Sequence, residues 1–130
     1  MTKDDWLELT VLERKKYNYL VEVQDLTGQL AGSLDRSDQV STRMLVAMRQ
    51  DPIRMLAEVD NSGKLRIGTF PEEDRQRVAQ IRKGASPETD GERIYQEQAQ
   101  KTSRLLEQVV ALDRRVSSKM AGQQSFYSSK

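Results

Sequence analysis

The side chains able to do chemistry in this sequence are carboxylates, guanidiniums and hydroxyls, since it holds neither cysteine nor histidine. That removes thiolate and imidazole nucleophiles, Ser-His pairs and zinc sites of the usual nitrogen and sulfur type. Carboxylates are what remain. The densest acidic run is Glu72-Glu73-Asp74, and paired acids are the raw material of acid/base work. Three acids after a proline equally suit the first turn of a helix, whose free N–H groups favour negative charge, and that reading is adopted. Asp60 opens a stretch resembling a calcium loop, with Ser62 two places on. Lys64 then occupies a ligand position, Leu65 replaces the required glycine and Pro71 stands where the bidentate glutamate belongs. The eleven serines have no imidazole partner and no nucleophile-elbow motif, and no phosphate-loop glycine pattern occurs. The expectation is a chain that is not an enzyme and takes no metal or cofactor.

Binding chemistry is the alternative to reaction chemistry. Arg75, Arg77, Arg82 and Lys83 crowd one short segment, yet the chain holds 21 Lys+Arg against 20 Asp+Glu, with none of the basic excess that phosphate neutralisation needs. Nucleic acid is therefore a poor partner. Met44, Met48 and Met55 recur at helical spacing and are read first as core filling, with an adaptable docking groove as the other option. Trp6, Tyr17 and Tyr19 are read as anchors between helices.

The elements that must hold these residues follow from periodicity. With 36% hydrophobic and 32% charged residues the composition suits thin, packed helices. Residues 4–34 place Leu9, Leu12, Tyr19, Val23, Leu26 and Leu30 three or four apart, with Trp6 one turn earlier and the Lys16 stem on the seam. Gly28 and Gly32 either fray its end or admit a neighbouring helix. Ser37 or Asp38 caps a second helix carrying Val40, Met44, Leu45 and Met48, which Pro52 kinks or splits before Ile53, Leu56 and Val59. Residues 64–68 read as loop. Thr69 and Glu72 have the spacing of a capping box for a short helix ending at Gly84, and Thr89 and Glu92 repeat that spacing for a last helix running to about Met120. The predicted fold is all-α, an antiparallel helical bundle of two long and two shorter helices. Residues 1–122 form one domain and residues 123–130 a flexible tail bearing Phe126 and Tyr127. Residues 1–35 carry a net charge of −3 and residues 91–130 a net charge of +3, which favours the first and last segments side by side. No apolar run approaches the about 20 residues of a membrane span, and no signal-peptide pattern opens the chain, so the reading is a cytoplasmic protein.

The last helix carries an apolar stripe wider than a two-helix contact needs: Leu105, Leu106, Val109, Leu112 and Val116, with Val110 beside them. These residues, with Phe126 and Tyr127, are the expected partner-binding site. A long first helix, a middle helical region and a long last helix ending Leu105-Leu106-Glu107-Gln108-Val109-Val110-Ala111-Leu112-Asp113-Arg114-Arg115-Val116 resembles the FlgN-type flagellar export chaperones. Pro52 and the separate short helix depart from that layout. The resemblance implies a cytoplasmic, non-enzymatic chaperone or adaptor that holds a segment of a flagellar hook-filament junction protein on Leu105, Val109, Leu112 and Val116. The alternative from the same stripe is self-association into a homodimeric scaffold.

Overall fold

The structure, a computed structural model, describes residues 1–128, with side chains as far as Gln123. Its elements are α1 (Lys3–Asp35), α2 (Gln39–Gly68), α3 (Glu72–Arg82) and α4 (Asp90–Ser128). The all-α bundle is as expected, but three helices are long and one is short. Along α1 and α4 the partners rise together in number: the Trp6 and Tyr95 rings lie 5.4 Å apart, Thr102 reaches the Glu13 carbonyl, Gln24 meets Gln108, and Gln123 donates to the Leu34 carbonyl. Those two helices are parallel. Along α2 the order reverses, with Thr42 near Ser33, Asp60 on Lys16 and Arg66 on Asp5. The path is thus up, down, a short crossing at the base through α3, and up again. α1 is the central helix, packed extensively against both α2 and α4.

The starts and stops have local causes. Thr2 and Asp5 form a reciprocal capping box on α1. Ser37 adopts a left-handed φ of 55° while the Asp38 N–H closes back on the Ser33 carbonyl, and the Asp38 carboxylate then caps α2 through the Ser41 N–H. At the end of α3, Gly84 takes a φ of 109° and Gln96 donates to the carbonyls of both Ile81 and Ala85.

Four expectations change. Of the two outcomes expected at Pro52, the split does not occur: its ring is buried inside one continuous helix that packs along α1 on both sides of it. Residues 64–68 are helix, since Arg66 is held by Asp5 and Glu8 and stacks on Phe70, anchoring the last turns. The Thr69/Glu72 capping box does not form, as the Thr69 hydroxyl turns back to the Arg66 carbonyl. The chain stays helical past Ala121-Gly122 to Ser128, with the Gln123 bond to Leu34 tying that turn to α1; one glycine costs a helix only about 1 kcal/mol.

The core is a string of three clusters. Trp6, Leu9, Phe70, Val78, Ile81, Tyr95 and Ala99 close the base under α3. Leu20, Val23, Leu105 and Val109 fill the middle, and Leu26, Leu30, Leu34, Leu45 and Val116 fill the top.

Candidate functional site

The expected docking stripe divides when placed on α4. Leu105, Val109 and Val116 are buried against α1, so these three are core, which corrects their assignment to a partner surface: a stripe that closes the bundle is not free to receive another chain. Leu112 is half-buried at the edge of a groove, while Leu106 and Val110 remain exposed beside the seam. Phe126 and Tyr127 lie outside the residues whose side chains are described.

The open surface is elsewhere, over the upper half of α1. An open groove of about 1010 Å³ runs across Val21, Gly28 and Gly32, bounded by Met44 and Leu45 of α2 and by Leu112 of α4. Val21 is 42% and Met44 56% exposed, and Val40 and Met48 continue the apolar row one turn to either side of Met44. Core filling is thus overturned for Met44 and Met48. Their positions flank the buried Leu45 and Pro52, so the helix turns them outward. Nothing approaches Gly28, and the Arg36 guanidinium is the nearest group to Gly32, so neither glycine serves close helix packing. Glu22 and Asp25 give the same groove unpaired negative charge, with no cation in ion-pair contact among the described residues. Flexible thioethers, open backbone and a few charges make a surface suited to binding a helix or an extended segment.

The base of the bundle is polar in a different way, and sequence reasoning missed it. Arg77 grips the buried Glu92 with two bonds of 2.7 and 2.8 Å, and Glu92 also accepts from the Glu88 N–H. The Arg77 bonds hold the Glu92 carboxyl below its ordinary range, against the opposing effect of burial. Arg82 reaches the buried Glu13 and the Tyr95 hydroxyl; burial raises the Tyr95 hydroxyl above its ordinary value, partly offset by Arg82. Two of the four cations that raised the nucleic-acid question are therefore spent on internal carboxylates. The available signal was spacing: Trp6, Glu13, Leu20, Thr27 and Leu34 stand seven apart, so Glu13 falls on the buried seam.

Among the described residues no group of three or more acids could hold a metal ion, and no helix is long and apolar enough to cross a membrane. Comparison with known proteins finds no matching family model, curated protein or solved structure. The functional reading rests on geometry.

Proposed function

We propose that this chain is a non-enzymatic protein-binding bundle that receives a helical or extended partner segment in the groove over α1 and α2. The observation that carries the reading is the exposure of both Val21 and Met44 along one groove, continued by Val40 and Met48. A contiguous apolar strip of this kind, bordered by charge, is the common mark of an interaction surface. The specific form drawn from the resemblance is a cytoplasmic FlgN-like chaperone or adaptor holding part of a flagellar hook-filament junction protein. Its docking residues would then include Val21, Met44 and Leu112, with Leu106 and Val110 as a flank, and not the buried trio.

The test is capture of partner chains by the intact protein and by a Val21→Glu/Met44→Glu variant, after circular dichroism shows equal helix content. A partner retained by the parent and lost by the variant supports the groove, and a junction protein among those lost supports the chaperone form. Exposed Leu106 and Val110 lend weight to the second reading, a homodimer. Sedimentation equilibrium giving a mass near 14.9 kDa at high concentration rejects it.

A further inference from the structure

The face of α1 turned away from the core carries a regular row of its own. From Leu7 to Gly32 its positions recur at alternating steps of four and three, the spacing of a helix seam, and all but half-buried Gly32 are exposed. Leu7 is 55% and Val11 40% exposed. The two halves of the row differ in bulk and in charge. The lower half is a ridge of Leu7, Val11 and Arg14, with Lys15 beside it, and these stand outside the groove. The upper half is the groove floor, where Gly28 and Gly32 leave space and Glu22 and Asp25 are the anions. Among the described residues Arg14, Lys15, Glu22 and Asp25 have no ion-pair partner in their own chain. A ridge of bulk and positive charge followed by a trough of glycine and negative charge is complementary to its own reversal.

We propose that the groove is filled by α1 of a second copy of this chain, laid antiparallel about a two-fold axis between Asn18 and Val21. This rests on the reading of the groove as a helix-docking site and names its occupant. One register sets Leu7 on Gly32, Val11 on Gly28, Arg14 on Asp25 and Asn18 on Val21, with Lys15 flanking Glu22. Two-fold symmetry makes each of these contacts twice. The bulky side chains enter the space the glycines leave, between the walls formed by Met44 and Leu112. At the ends Asp4 arrives beside Asp35, which Lys119 already neutralises, and beside Arg36, whose exposed guanidinium lies over Gly32 and must swing aside for Leu7. A parallel pairing would instead set Arg14 on Arg14 and Asp25 on Asp25, so charge selects the antiparallel one.

The experiment is sedimentation equilibrium of the full chain from micromolar to millimolar concentration, alone and with charge reversals at the exposed positions. Expected is a reversible rise from 14.9 kDa toward twice that mass. Arg14→Asp and Asp25→Arg should each keep the parent's helix content by circular dichroism and weaken dimerisation about tenfold or more, since the pair turns repulsive at both of its symmetric places. Mixing the two variants in equal amounts should restore the dimer, because both cross pairs are then opposite in charge. Damage to the fold would not be cured by mixing. A monomer at every concentration overturns the self-pairing and leaves the groove reading to partner capture. A dimer indifferent to both reversals, one that mixing does not restore, or one lost in Leu106→Ser lies on another face and overturns the proposal as well.

Discussion

Glu92 is where single-residue physics reaches furthest. Its carboxyl is held below the ordinary range by two Arg77 bonds, so the stabilisation it gives is complete above the unfolded value of about 4.3 and disappears as pH falls through the lower folded value. Glu92→Gln should cost about 2 kcal/mol at neutral pH and flatten the decline in stability toward acid. Urea unfolding at neutral and acid pH checks both; an unchanged acid slope would mean the depression belongs to other carboxylates. Two glycines make a second residue-scale contrast. A Cβ on Gly91 would stand 3.0 Å from the Trp6 Cβ, so Gly91→Ala should destabilise by about 1–2 kcal/mol. Gly28→Ala meets open space and should stabilise by up to about 1 kcal/mol, which thermal unfolding would register as opposite shifts in Tm. The sequence offered Gly28 and Gly32 either as a frayed helix end or as sites of close approach. The close approach is at Gly91, because α4 enters the bundle against the Trp6 side chain, a long-range fact that spacing does not carry.

At the level of elements, what was legible was whatever a 3.6-residue period writes directly. Leu9, Val23, Leu26 and Leu30 on the seam of α1, the Asp38 cap, the stop at Gly84 and the start of α4 all follow from local residue chemistry, whereas between Leu9 and Val23 the buried positions are Glu13 and Leu20 and the expected Leu12 and Tyr19 are half-buried. What was not legible depended on tertiary support. Residues 64–68 are flanked by Gly63 and end in Gly68, both poor helix formers, and become helix because Arg66 is pinned across to Asp5 and Glu8. Pro52 is the clearest case. A proline in a helix interior is disfavoured by about 3 kcal/mol relative to alanine, while its two extra buried ring carbons return about 1.6 kcal/mol. Pro52→Ala should therefore raise stability by about 1 kcal/mol, measured as a higher urea midpoint; a lower midpoint would show that the packing of the ring outweighs the lost backbone bond.

For the molecule as a whole, the parallel pairing of α1 with α4 settles which of the stripe residues are structural. The charge asymmetry anticipated that these two segments lie together, yet the described ion pair joining them is Lys119 with Asp35, and other acids of α1 are met instead by Arg66 of α2 on Asp5 and Glu8 and by Arg82 of α3 on Glu13. Apolar burial does the joining. Leu105→Ala should cost about 2–4 kcal/mol, whereas Leu106→Ser, one residue on, should change stability by no more than about 0.5 kcal/mol. The helical period sets Leu106 off the seam that carries Leu105, but that the seam itself is spent on the core and not on a partner depends on where α1 lies. The groove was only half visible for the same reason: the methionine spacing was plain, but their outward turn follows from Leu45 and Pro52 taking the inner positions.

The most direct measurement of the central claim is quantitative partner capture by the parent chain and by the Val21→Glu/Met44→Glu variant, from the cells that make the protein. The account predicts that at least one chain enriched by the parent is lost by the folded variant, and that the same chain is kept by Leu65→Ser, an exposed position that does not line the groove. Full retention by the groove variant would contradict it.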